Sequence, residues 1–315
     1  MELVTINDVR AAASRIGGLT LRTPLLDSEP LSAEFGSRIL AKPENLQHTG
    51  SFKVRGALNT LLDWRDRGIL PAGVVSFSAG NHAAAVARAG EQLGVRAIVA
   101  MPTEPVASKV ENVVRYGGEI VRTADLAGTC AALAAEHGYP ALYPFDLPEV
   151  IAGQGTVGLE ICADGPEPDL VLVPVGGGGL LSGVAVAVRA LAPRARIVGV
   201  EPETSNAMSL AVRAGEIVPV PDPTATIADG LMAPFAGRHT LAHVRALVDE
   251  VVEVPDEAIG DAWRGVVEST KLLVEPSAAL GLAALRTGVV RAPPGGVTVL
   301  VLSGGNTDLG RLAAQ

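Results

Sequence analysis

Short apolar runs alternate with helix-spaced stretches along most of the chain, and this alternation limits the fold more than any other feature. "GVVSFS" (73–78), "GNHAAAVARAGEQLG" (80–94) and "RAIVAMP" (96–102) read as strand, helix and strand. The pattern predicts a further helix near 107–116, the strand "GGEIVRT" and a helix near 125–137, closed by Pro140, Pro144 and Pro148. From residue 150 a second series runs through helix 154–163, strand "LVLVPV", a glycine loop, helix 180–191 and strand "IVGV". It continues with "VVEVP", helix 256–270, helix 277–286 and strand "VTVLVLSGG". Alternation of this kind yields parallel sheets covered by helices on both faces. The expected fold is α/β, two lobes of parallel-type sheets flanked by helices. Residues 73–148 form the small domain, inserted into a large domain made of 1–72 and 149–315. Thr5 with Asp8 predicts a capped first helix near 6–16, and "PDPTATIADG" (221–230) reads as a long loop.

Hydrophobic residues make up 48% of the 315 and aromatics only 3%, so the core must be built from Ala, Val, Leu and Ile. A formal net charge of −9 argues against nucleic acid or an acidic membrane as partner, since both demand a basic face. No apolar run reaches the roughly 18 residues of a spanning helix. The start "MELVTINDVR" lacks the basic and apolar regions of a signal peptide, so a cytoplasmic protein handling small molecules is expected. Cys130 and Cys162 have no CxxC spacing and read as reduced packing residues.

Two glycine loops compete for a phosphate. In "VPVGGGGLLSG" an apolar strand meets Gly176, Gly177, Gly178 and Gly179 and then an apolar helix beginning near Leu180. Such glycines let the backbone bend tightly and aim N–H groups and a helix N-terminus at an anion. "GQGTVG" (153–158) formally satisfies the dinucleotide pattern, but its lead-in "PEVIA" is a poor strand and no acidic residue follows at the required distance. A glycine-eased helix start is the expectation there, with a nicotinamide-dependent dehydrogenase as the alternative. No GxxxxGK[ST] occurs, so the four-glycine cup suits a monophosphate better than a nucleoside triphosphate.

Lysine is rare in this chain: four (Lys42, Lys53, Lys109, Lys271) among 25 basic residues. A position that keeps lysine against this preference for arginine is a candidate for amine chemistry. Lys53, in "HTGSFKVRGA", lies among small and polar residues just ahead of an amphipathic stretch.

The cup, the isolated lysine and "SAGNH" together resemble the threonine dehydratase and serine racemase group of fold-type II pyridoxal-phosphate enzymes. The matching pieces are "SFKVRGA" (51–57), "SAGNHAAAVA" (78–87), "EVIAGQGT" (149–156), "VPVGGGGL" (173–180), "TIADG" (226–230), "KLLVEPSAA" (271–279) and "LSGGN" (302–306). They run in the family's order over nearly the full length. The resemblance implies a tryptophan synthase beta-like fold, pyridoxal 5'-phosphate as cofactor, an amino-acid substrate and a homodimer. It makes Lys53 the Schiff-base lysine, and an imine does need a primary amine that guanidinium cannot supply. It makes Gly176 to Gly179 and Leu180 the phosphate site, with Phe52 beside the ring and Asn81 on the 3'-oxygen. Ser78, Ala79, Gly80, Asn81 and His82 become the turn that grips the substrate carboxylate, and Ser303 the residue facing the pyridine nitrogen.

Resembling racemases carry a serine where this chain has Ala79, and a methyl has no transferable proton. β-Elimination of a 3-hydroxy L-amino acid, L-threonine or L-serine, to a 2-oxo acid and ammonia is therefore the expected activity. Serine racemase, hydroxyaspartate dehydratase or racemase, a β-replacement synthase and a non-catalytic amino-acid-binding protein are the alternatives. Some relatives hold a divalent cation with a glutamate and an aspartate six positions later; here Glu201 is followed by Ala207, and no metal is assigned although Glu203 could substitute. His239 and His243 read as a solvated helix face, and Glu275 as a helix-start or structural carboxylate. The chain ends nine residues after Asn306, so no C-terminal regulatory domain is expected.

Overall fold

Thr5 caps α1 (Ile6–Ile16) as its spacing predicts: its hydroxyl accepts the Asp8 N–H, and the Asp8 carboxylate accepts the N–H of Thr5. The computed structural model describes residues 2–221, 226–308 and 310, so the centre of the "PDPTATIADG" loop lies outside the described residues. Next come β1 (Leu26–Asp27), α2 (Glu29–Phe35), β2 (Arg38–Pro43) and α3 (Lys53–Asp66). Of these the alternation revealed only α3, because β1 is two residues long and β2 carries Lys42 inside an otherwise apolar buried strand.

The next elements fall within one or two residues of expectation: β3 (Gly73–Phe77), α4 (Asn81–Leu93), β4 (Arg96–Met101), α5 (Ala107–Arg115), β5 (Glu119–Arg122) and α6 (Leu126–His137). Strands β3, β4 and β5 form a three-stranded parallel sheet, called here with its helices the small lobe. The chain then adds α7 (Pro148–Asp164), β6 (Leu170–Pro174), α8 (Gly179–Leu191), β7 (Arg196–Pro202), α9 (Ala207–Ala214) and α10 (Arg238–Leu247). It closes with β8 (Glu250–Val254), α11 (Asp256–Thr270), α12 (Leu280–Arg286) and β9 (Val297–Leu302).

The larger sheet has the order β1-β2-β9-β6-β7-β8 and is parallel except for β1, which pairs antiparallel with β2 at the edge. Its strands alternate between two cores. Leu172 and Leu300 pack with Trp263, Leu280 and Ala283 on one face, while Val171, Val173 and Val299 pack with Leu181, Val184 and Ile161 on the other. Both faces are therefore covered, which is why its central strands read as unbroken apolar runs. Among the described residues no helix is long and apolar enough to cross a membrane.

"GQGTVG" corrects two expectations. Pro148 does not close a segment; it occupies the first turn of α7, where its missing N–H costs nothing. The helix begins there rather than at 154, so the three glycines lie in its buried interior with no strand leading into them. A Cβ on Gly153 would stand 2.6 Å from Gly56 Cα of α3, one on Gly155 2.9 Å from the Gly183 carbonyl of α8, and one on Gly158 2.9 Å from the Val184 carbonyl. They let α7 approach two helices backbone to backbone. The dinucleotide reading falls with this geometry.

Four charged side chains are buried together behind the first turn of α3. Arg55 grips Glu44 with two bonds, Nε to Oε2 at 2.7 Å and Nη2 to Oε1 at 2.8 Å, and donates to both oxygens of Glu160 at 2.6 and 2.9 Å. Lys42 donates to Glu160 Oε2 and to the Thr23 carbonyl, each at 2.6 Å. Two cations and two carboxylates balance, so Glu44 stays below the usual carboxylate range: burial alone would raise it, but the Arg55 guanidinium outweighs burial. The cluster ties β2, α3 and α7 to one point two residues past Lys53.

Candidate active site

Strand β6 ends at the four glycines, whose surroundings leave little room for a side chain, least of all at Gly177 and Gly178. A Cβ on Gly177 would fall 2.2 Å from the Phe145 ring, and one on Gly176 3.1 Å from Leu231 Cα. Gly178 adopts φ 91°, a left-handed conformation costly for other residues, and a Cβ there would meet Met208 Cε at 2.4 Å. Thr240 Oγ1 donates to the Gly177 carbonyl at 2.7 Å and fixes the loop from behind. Gly176 to Leu180 line a cavity, and the first N–H groups of α8 have no carbonyl within their own helix to bond. The result is an anion cradle at a helix N-terminus.

Lys53 enters the same cavity as the first residue of α3. Its segment is held to the end of β9 by the Phe52 N–H donating to the Ser303 carbonyl at 3.1 Å and by bridge pairing of Ser51 with Gly304. The amine donates to the Pro144 carbonyl at 2.9 Å and stands 5.2 Å from the Phe52 ring centre. The residue keeps some accessibility along the cavity, yet dense protein around the amine pushes its pKa down to about 8, against the opposing pull of Glu275. A neutral, nucleophilic amine is therefore more accessible near pH 7 than for a solvated lysine.

Asn81, the first residue of α4, closes the cavity from the small lobe. Its Nδ2 donates to Glu275 Oε1 at 2.6 Å, and its Oδ1 accepts from Asn306 Nδ2 at 2.9 Å. Glu275 meets its expectation: it stands at the start of the short 3-10 turn Pro276–Ala278 and holds Asn81 as a structural carboxylate, and it also lines the cavity with Ser303 and Ser277. Phe145, Gly230, Leu231 and Ser277 also line it and were missed. Gly230 and Ser277 lie inside quoted motifs; Phe145 and Leu231 carry no local signal, being brought in by loops.

Of the turn from Ser78 to His82, Asn81 is the residue that lines this cavity. Ser78 Oγ accepts the Gly80 N–H at 3.0 Å. His82 is buried, donates Nε2–H to the Leu142 carbonyl at 3.0 Å, and is pushed down to about 3 by burial and by the nearby Lys53 charge. Its folded pKa lies below its ordinary 6.5, so the unfolded chain takes up the proton first. Stability conferred by neutral His82 is present above pH 6.5 and declines, by on the order of 1.4 kcal/mol per unit, as pH falls toward 3. Urea unfolding at pH 7 and pH 5 is expected to show a smaller pH loss for His82→Gln than for the parent; equal losses would refute this.

Residues 16–304 match the family described as "Pyridoxal-phosphate dependent enzyme". The chain belongs to that family. This pyridoxal-phosphate enzyme is 40% identical to the L-threo-3-hydroxyaspartate ammonia-lyase of Pseudomonas sp, over 100% of this chain and 99% of that one. It is 43% identical to the L-threonine ammonia-lyase of Geobacter sulfurreducens, over 96% of this chain and 75% of that one. Its structure superimposes on that of maize serine racemase with a TM-score of 0.93 and 39% identity, covering 99% and 97% of the two chains. The fold-type II expectation is thereby met. The cavity also fits the cofactor on its own chemistry: a bare glycine backbone at a helix N-terminus, suited to a phosphate, and a primary amine of lowered pKa open into one space.

The residues weighed for metal do other work in this pyridoxal-phosphate enzyme. Glu201 accepts the N–H groups of Met208 at 2.9 Å and Ser209 at 2.8 Å, capping α9, and burial lifts its pKa to about 8. Glu203 is exposed. Among the described residues no group of three or more His, Cys, Asp or Glu could hold a metal ion. His243 is not solvated: it is buried, donates Nδ1–H to the His239 carbonyl at 2.7 Å and accepts the Val4 N–H on Nε2 at 2.8 Å. It pins the N-terminal segment, a contact 239 positions away that helix periodicity cannot reveal.

Proposed function

We propose that the enzyme removes water and ammonia from a monocarboxylic 3-hydroxy L-amino acid, L-threonine or L-serine, leaving a 2-oxo acid. The observation that carries this reading is the distribution of proton carriers. Lys53 offers one amine near neutrality, while the adjoining turn has a methyl group at Ala79. Racemisation needs a proton donor on each face of Cα, whereas elimination needs one base.

Lys53, with Gly176 to Gly179, Leu180, Phe52, Asn81 and Ser303, would hold pyridoxal phosphate. When bound, the cofactor supplies the electron sink that makes the Cα proton acidic. The Lys53 amine takes that proton as general base. The proton taken up by Lys53 balances the loss of the Cβ hydroxyl as water, and the released enamine takes up water to give 2-oxo acid and ammonia. Ser303 would meet the ring nitrogen with a hydroxyl, which does not enforce protonation as a carboxylate does, so prompt loss of the β-substituent is favoured over a long-lived carbanion. The N-terminal turn of α4 and its preceding backbone would receive the substrate carboxylate.

Substrate class follows from charge. The described residues lining the cavity include one cation, Lys53, and one carboxylate, Glu275. A second substrate carboxylate, as in 3-hydroxyaspartate, would find no cation of its own there. Release of 2-oxo acid from L-threonine, L-serine and L-threo-3-hydroxyaspartate, with chiral analysis of residual serine, tests the reading. The expected order of kcat/KM places threonine or serine first. A larger value for hydroxyaspartate would overturn the substrate, and D-serine forming faster than the 2-oxo acid would overturn the reaction.

A further inference from the structure

Of the four lysines, Lys42 and Lys109 are buried and Lys53 is half-buried; two have roles given above, Lys53 in the cavity and Lys42 in the charge cluster. Lys109 is the third. It belongs to α5 of the small lobe, is 3% exposed, and lies flat against Gly80, where a Cβ would stand 2.2 Å from Lys109 Cδ and 3.0 Å from Cε. Its ammonium donates to Asp229 Oδ2 at 2.8 Å. Asp229 is on the opposite wall, in the 3-10 turn Asp229–Leu231, and the two residues after it line the cavity. The Leu231 backbone in turn abuts Gly176 of the cradle.

One ion pair therefore joins the back of the Ser78 to His82 turn to the wall of the phosphate cradle. We propose that Lys109 is a positioning residue: paired with Asp229, it sets the turn at the distance from the cradle at which an amino-acid carboxylate is held. The proposal rests on reading that turn as the carboxylate site. The side chain suits the task. An unbranched stem passes the bare Gly80 backbone where a guanidinium would collide, and a compact ammonium reaches across. A buried cation left without its carboxylate is strongly unfavourable, so the turn cannot swing away without breaking a costly contact. Other bonds cross the cleft nearby, Asn81 with Glu275 at 2.6 Å and with Asn306 at 2.9 Å, Asn112 Nδ2 to Asn306 Oδ1 at 3.1 Å and Tyr116 Oη–H to the His48 carbonyl at 2.8 Å, but each of these involves a neutral group and pairs no opposite charges.

The test uses the holoenzyme of Lys109→Met, Asp229→Asn and the double variant. In Lys109→Met, KM for the amino acid is expected to rise about tenfold or more, with kcat falling less than about threefold and the visible absorbance of the cofactor unchanged. Amide hydrogen exchange is expected to quicken at 78–84 and 229–231 and to stay slow in β4. The double variant should be no worse than Lys109→Met, since both lose the same contact. Unchanged KM, additive losses in the double variant, or exchange quickening equally through β3, β4 and β5 would each overturn the proposal. If Lys109→Met does not fold, Asp229→Asn carries the same readouts with the same expected directions. Exchange requires no turnover, so an enzyme inactive on every 3-hydroxy amino acid would defeat the substrate assignment while exchange still decides the case of Lys109.

Discussion

Lys53→Ala is expected to lower kcat at least about a thousandfold, the loss that follows when a single amine serves as both attachment point and general base. Lys53→Arg is expected to be equally inactive, because guanidinium keeps the charge but has no neutral amine to offer near pH 7. The structure explains why the effect should be confined to chemistry. Among the described residues the amine hydrogen-bonds the Pro144 carbonyl and forms no ion pair, and the glycine cradle is built by other segments. Borohydride treatment of the parent should fix the cofactor on the peptide containing residue 53, and the variant should retain no such label. A variant turning over at the parental rate would refute the assignment of the base.

Arg55→Met is expected to cost about 3–5 kcal/mol of folding stability, the typical result of removing one partner from a buried ion cluster. Glu44, fully buried, would keep only the Thr23 hydroxyl, which donates at 2.6 Å, and Glu160 would keep Lys42 and lose two bonds. Because the cluster lies two residues beyond Lys53 and fixes α3 against α7, the loss should also loosen the first turn of α3. Denaturant midpoints measure it, and adding Glu44→Gln to Arg55→Met should recover part of the loss by removing the orphaned charge. A loss below about 1 kcal/mol would show that the cluster contributes no more than a surface pair.

Legibility differs sharply between these two sites. Lys53 and the four glycines could be read because each sits in a short run whose chemistry is local: a strand end, a bend requiring glycine, a helix start. The Arg55 cluster could not be read, although all four of its charges were in plain view. Glu44 and Glu160 meet Arg55 across 11 and 105 positions, and no periodic pattern links them. For Glu275 the helix start was legible in its neighbours, but its place on the cavity wall was not, because its partner Asn81 lies 194 positions away.

The sequence by itself determined the layered α/β architecture, the capped first helix, the glycine bend between β6 and α8 and the helix that begins at Lys53, because hydrophobic period, caps and glycine conformations act over a few residues. Tertiary structure alone decided that "GQGTVG" packs three helices, that His243 fastens the N-terminus, and that Lys109 crosses the cleft to Asp229. Those outcomes depend on which surfaces meet when the chain closes, and burial, by removing water, then turns a distant charge or a missing Cβ into the dominant interaction at each point.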